Sequence, residues 1–152
     1  MNDPRDHARL LTEGPWAGWL TWLESDERSF MQVLGPSLSR SDAPGRATVM
    51  LATHALHSNR TGALHGGFLA GFADHAYFAA LFVIGRPAQI FAVTVDLTMQ
   101  YCGAARVGPM LRAEVELLRE TGRLMFMRLA LYQDDELVGA SSATLRKAPE
   151  PA

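Results

Sequence analysis

The sequence predicts an α+β domain in which one buried helix is enclosed by an antiparallel sheet. Residues 66–84 are apolar on nearly every side, and residues 91–101 alternate strictly with a period of two. Short turns then space three further strands. A helix that is apolar all round must be enclosed by other structure, and a curled sheet of about five or six strands would enclose it.

In chain order, Trp16, Trp19, Leu20 and Leu23 fall at helical spacing after Gly14-Pro15. This predicts a short amphipathic helix whose tryptophan face packs on the core. Residues 30–34 fit a first strand and residues 47–54 a second, with Pro36, Pro44 and Gly45 marking the loop between them. The apolar stretch holds Phe68, Leu69, Phe72, Tyr77, Phe78, Leu81 and Phe82, and Gly85-Arg86-Pro87 ends it.

Beyond it, Phe91, Val93, Val95, Leu97, Met99 and Tyr101 alternate with Ala92, Thr94, Asp96, Thr98 and Gln100. That pattern predicts a strand with one buried and one mostly polar face. Leu111, Ala113, Val115 and Leu117 alternate with Arg112, Glu114 and Glu116. Thr121-Gly122 turns the chain into residues 124–132, and Asp134-Asp135-Glu136 into residues 137–145. The three form an antiparallel meander. The expected organisation is an N-terminal helical segment over residues 1–29, a main domain over residues 30–147, and a frayed tail over residues 148–152.

The 152 residues suit one domain with one core. A net charge of −2 argues against non-specific nucleic-acid binding, which needs a basic excess. Cys102 is the only cysteine, which excludes an internal disulfide and a cysteine-based zinc site. Met1-Asn2-Asp3-Pro4-Arg5-Asp6 lacks an apolar h-region, so no signal peptide is read. Asp74 and His75 interrupt the longest apolar stretch, which reads as a buried helix and not a membrane span. The expected compartment is the cytoplasm.

Asp74 is the anomaly in this pattern. A carboxylate in the middle of an apolar helix is costly to bury unless paired or hydrogen-bonded, and partial desolvation strengthens it as a base or nucleophile. It could instead cap a backbone group or emerge at a subunit surface. Upstream, Asn59-Arg60-Thr61-Gly62-Ala63-Leu64-His65-Gly66-Gly67 leads straight into the same helix. Glycines at a helix start expose backbone N–H groups at the positive end of the dipole, where they can hold a developing oxyanion. Asn59 can add hydrogen bonds, and His65 can orient the reacting group or the loop.

His65 and Asp74 are nine residues apart, about 13 Å along a helix axis and on opposite faces. They cannot reach one atom within one chain. If both are catalytic, the site is composite, and the chain works as at least a homodimer with two equivalent sites.

These residues resemble the hotdog-fold acyl-CoA thioesterases, in particular the PaaI-type branch linked to phenylacetate degradation. The resemblance covers roughly residues 34–146. It rests on Asn59-x-x-Gly62-x-Leu64-His65-Gly66-Gly67, on Ala73-Asp74, on Ala92-Val93-Thr94-Val95-Asp96-Leu97 and on the Gly122-Arg123 turn. It implies a long helix wrapped by an antiparallel sheet, with active sites at the interface of a homodimer that often pairs into a tetramer. It also implies Asp74 as base or nucleophile, the Gly66 amide as carbonyl polariser, and Asn59 and His65 as orienting groups. Gly67 and Arg123 would contact the substrate. Neither a metal nor a bound cofactor is implied, coenzyme A being part of the substrate. Where many such relatives carry Ser or Thr one turn after the acid, this chain has Phe78, which favours a hydrophobic acyl or aryl group.

Other chemistries fit less well. His54, His57 and His65 lack an acidic partner and regular ligand spacing for a metal. His75 points about 100° away from Asp74 around the helix, as a packing or interface residue. Cys102 has no partner histidine, and there is no Gly-x-Ser-x-Gly elbow. Arg60, Arg119, Arg123, Arg146 and Lys147 are candidates for the coenzyme A phosphates. A non-catalytic acyl-CoA sensor and a hotdog dehydratase or hydratase stay open as alternative functions.

Overall fold

The structure, a computed structural model, describes residue 6, residues 8–22 and residues 29–149. Its core is a helix, α2 (Gly66–Val83), packed on an eight-stranded antiparallel sheet. The strands are β1 (Ala8–Leu10), β2 (Leu20–Trp22), β3 (Ser37–Ala43), β4 (Arg46–Leu51), β5 (Val93–Tyr101), β6 (Leu111–Glu120), β7 (Leu124–Gln133) and β8 (Glu136–Arg146). Their spatial order is β1-β2-β3-β4-β6-β7-β8-β5. The predicted α+β architecture and the β6–β7–β8 meander are both present. Asp134 and Asp135 take positive φ of 47° and 65°, the backbone that a tight hairpin between β7 and β8 requires.

Along α2, Phe72, Ala73, Ala76, Tyr77 and Leu81 are fully enclosed. Leu34, Leu51, Leu111, Met127 and Leu131 meet them from the surrounding elements. Each large side chain buried this way contributes about 1.5–3 kcal/mol. By length and composition α2 could cross a membrane, but half of it is buried inside this fold.

Three expectations at the N-terminal end were wrong. Trp16, Trp19 and Leu20 do not lie on a helix. Residues 8–22 form the hairpin of β1 and β2, which extends the sheet beyond β3. Gly14 and Gly18 take φ of +79° and +86° and reverse the chain there, so the spacing of the tryptophans came from a turn. Leu23 lies outside the described residues, as do residues 1–5 and 150–152. Residues 30–34 are not a strand, because Met31–Leu34 forms a short helix, α1. The expected loop between Pro36 and Pro44 is β3, whose polar Ser37, Ser39 and Ser41 masked the alternation.

β5 departs from expectation in a way that matters for the site. Val93 and Val95 are 51% and 59% exposed, while Ala92 and Leu97 pack against the core. A bulge between Thr94 and Asp96 in the pairing with β8 explains this. One extra residue flips every later side chain to the opposite face. Before the bulge the even positions face α2, and after it the odd ones do. β5 is also the last strand of the sheet, so its outer edge is unpaired among the described residues.

Candidate functional site

Residues 55–65 fold into a compact loop that delivers the chain to α2. Asn59 Oδ1 accepts hydrogen bonds from the Thr61 N–H at 2.8 Å, the Thr61 hydroxyl at 2.7 Å and the Ala63 N–H at 3.2 Å. The Asn59 oxygen therefore organises the loop itself. His57 is buried beneath this loop. Its Nε2 lies 2.6 Å from the Val33 carbonyl oxygen, its Nδ1 accepts from the His54 N–H at 3.3 Å, and its ring stacks on Phe68. Burial pushes its pKa down. The His57 carbonyl then accepts the His65 N–H at 2.8 Å, which fixes where α2 starts.

His65 is the N-cap of α2, with Nδ1 accepting the Gly67 N–H at 2.9 Å. That contact satisfies one of the free donors at a helix start. The Gly66 N–H has no acceptor among the described residues. Tyr101, at the end of β5, lies over this corner and donates its hydroxyl to the Gly66 carbonyl at 3.0 Å. A side chain at position 66 would meet the tyrosine ring at 3.3 Å. His65, Gly66, Gly67 and Tyr101 are thus one cluster, and Asn59 shapes the loop that leads into it.

Asp74 belongs to a second cluster, two turns along α2. It is half-buried, and its Oδ1 accepts the Thr94 hydroxyl at 2.7 Å. A hydrogen bond to a charged acceptor of this length is strong, and it fixes the rotamer of the carboxylate. The carboxylate opens on a cavity of about 370 Å³ lined by Gly71, Asp74, His75, Phe78 and Ala79 of α2, together with side chains from the α1 region and the approach to β5. These helix positions follow the i, i+3, i+4, i+7 pattern of one face. His75 faces inward, with Nε2 2.7 Å from Ser37 Oγ, and burial pushes its pKa down to about 4.

Gly66 and Asp74 are eight residues apart on the same helix, about 12 Å along its axis. One chain does not bring the two clusters together. Arg60, Arg119, Arg123 and Arg146 are exposed, and their guanidinium groups make no ion pair among the described residues. Lys147 is engaged by Glu120, which Arg86 also holds. Sequence reasoning missed Thr94 and Tyr101. Both belong to the alternating strand, but only a bulge that sequence does not reveal turns both toward α2.

A family model described as thioesterase superfamily matches residues 61–140. A Pseudomonas aeruginosa protein whose name places it among esterases is 33% identical over 112 residues, which are 74% of this chain and 83% of that protein. Mouse acyl-coenzyme A thioesterase 13 is 28% identical over 102 residues, 67% of this chain and 71% of that one. Among solved structures, a mutant of the phenylacetic acid degradation protein PaaI from Thermus thermophilus aligns with a TM-score of 0.66 at 28% identity. It covers 78% of this chain and 98% of that one.

Proposed function

We propose, given that this chain belongs to the thioesterase superfamily and has the hotdog fold, that it hydrolyses acyl-CoA thioesters at sites shared between two copies of itself. The observation that carries the reading is the Asp74 carboxylate, aimed by Thr94 at the mouth of an apolar cavity. Such a cavity suits an acyl group, and a carboxylate at its mouth suits attack on the carbonyl that follows.

In the proposed reaction the thioester carbonyl oxygen accepts the Gly66 N–H at the start of α2, where the helix dipole favours negative charge. Asp74 then acts in one of two ways. As a base it takes a proton from water while the hydroxyl oxygen bonds to the carbonyl carbon. As a nucleophile it bonds to that carbon itself, giving an anhydride that water opens. In either case the C–S bond breaks, the sulfur leaves with its electron pair and is protonated, and the products are a carboxylic acid and free coenzyme A. Asn59 and His65 hold the loop that presents Gly66, and Gly67 borders the same corner. Arg123 is the proposed contact for a coenzyme A phosphate. No metal or further cofactor takes part.

The separation of the two clusters supports a homodimer, in which Asp74 of one copy faces the glycine corner of the other. Exposed Val93 and Val95 on β5, a strand whose outer edge is unpaired among the described residues, support the same reading. An open apolar strand edge invites a second strand. Pairing of such dimers into a tetramer is compatible with it.

Thiol release from short, long and aromatic acyl-CoAs tests the reading. Wild type should turn over at least one class, and Asp74→Ala should lose about 10²–10⁴-fold in kcat on the best substrate. Full activity in Asp74→Ala would refute the mechanism, and acyl-CoA binding without thiol release would favour a sensor.

A further inference from the structure

His57 stands between the two clusters within one chain. Its side chain is buried, and the ring lies flat on Phe68 of α2 at 3.8 Å. The His54 N–H donates to Nδ1 at 3.3 Å, so Nδ1 is unprotonated and the ring proton sits on Nε2. That Nε2–H donates to the Val33 carbonyl at 2.6 Å, one of the carbonyls that a helix leaves free at its end. An apolar ring would fill the same stack without the cost of burying two ring nitrogens. The two hydrogen bonds, and not packing, therefore account for a histidine here.

The ring and the backbone of His57 reach in different directions. Val33 belongs to α1, and Phe30, Met31 and Leu34 of the same segment wall the cavity beside Asp74. On the other side, the His57 carbonyl accepts the His65 N–H at 2.8 Å, and His65 in turn accepts the Gly67 N–H at 2.9 Å. Gly66 lies between those two residues, with its own N–H left for a ligand. A shift of the His57 ring moves the His57 backbone, and with it the start of α2. One buried side chain thus ties the wall of the cavity to the corner that presents the Gly66 amide.

We propose that His57 is a positioning residue, which holds the Gly66 N–H where the thioester carbonyl oxygen binds and braces it, through Val33, against the wall of the cavity beside Asp74. The inference rests on the thioesterase reading and adds to it a residue that touches no substrate. A donor aimed at a developing oxyanion tolerates little displacement, since a misplacement of about 1 Å can cost about 10²-fold in rate. The Val33 bond is the part of the brace that a substitution can remove and restore.

The test measures kcat, KM and melting temperature on the best acyl-CoA in three variants. His57→Phe keeps a ring on Phe68 and loses both hydrogen bonds. Its kcat should fall about 10-fold to 100-fold, with KM changed by less than about threefold. His57→Gln carries an amide N–H near the position of Nε2 and should recover most of that loss. His57→Asn reaches only the position of Nδ1 and should not. The Gln and Asn pair decides the matter even where His57→Phe does not fold. A wild-type kcat in His57→Phe, with only the melting temperature lowered, overturns the inference and leaves the thioesterase reading standing. So do equal losses in His57→Gln and His57→Asn. Absence of turnover by wild type on every acyl-CoA overturns the thioesterase reading instead. Hydrogen exchange at the His65 and Gly67 amides then decides the role of His57. Faster exchange in His57→Asn than in wild type and His57→Gln supports it, and equal rates overturn it.

Discussion

The Thr94 hydroxyl donates to the Asp74 carboxylate at 2.7 Å, tying the unpaired edge strand to the middle of the core helix. Seven residues further along the same strand, Tyr101 donates to the Gly66 carbonyl. β5 therefore contacts both clusters of the candidate site.

Thr94→Val removes this hydroxyl while keeping the shape of the side chain. A hydrogen bond to a charged group is worth about 1.5–3 kcal/mol, so kcat should fall about 10-fold to 100-fold with a smaller change in KM. Steady-state kinetics on the best substrate measures it. An unchanged kcat would mean that Asp74 is oriented by other means.

Position 66 allows the Gly66 N–H to be tested apart from its surroundings. It is the first residue of α2, where proline is tolerated, and His65 before it sits at φ −70°, ψ 135°, a conformation that proline accepts. Gly66→Pro deletes the N–H and should cost about 10²–10³-fold in kcat/KM. Gly66→Ala presses on the same Tyr101 ring at 3.3 Å but keeps the N–H, and should cost less than about 10-fold. Comparable losses in the two variants would assign the effect to Tyr101 and not to the amide.

Gly71 lines the cavity beside Asp74, close to Phe30. A Cβ there would lie 2.8 Å from Cε1 of Phe30, so Gly71→Ala must push that ring. The ring end can yield, and the helix tolerates alanine well, so folding should survive while the cavity reshapes. The ratio of kcat/KM for long over short acyl-CoAs should drop by about 10-fold, and a ratio equal to wild type would place the acyl chain elsewhere.

Stability should fall with acidity through His75. Burial holds its pKa at about 4, below the ordinary value of 6.5, so the folded state favours the neutral ring. That contribution is complete above pH 6.5 and is lost as pH falls toward 4, up to about 3 kcal/mol in all. His57, lowered mainly by burial, acts in the same direction. Denaturant unfolding at pH 7 and at pH 4.5 should show the loss in wild type and a smaller loss in His75→Gln. An equal loss in both would remove His75 from the account.

Sequence periodicity was sufficient for α2 and for the β6–β7–β8 meander, because long runs with one period have few alternatives. It misled at the N-terminal end, where Trp16 and Trp19 share helical spacing but two glycines with positive φ build a hairpin. β3 was hidden because its inward positions are serines, one of them the partner of His75. Asp74 and the residue 59–67 loop were legible, since a carboxylate in an apolar helix and paired glycines at its start both violate local preference. Thr94 and Tyr101 were not, because their placement depends on a bulge in β5.

Each proposed site joins Asp74 of one chain to the Gly66 corner of another. Mixing two inactive variants, Asp74→Ala and Gly66→Pro, under conditions that exchange subunits decides whether the site is shared. A shared site predicts recovery of about a quarter of wild-type thiol release, from mixed dimers that each hold one intact site. No recovery, with subunit exchange verified, would contradict it.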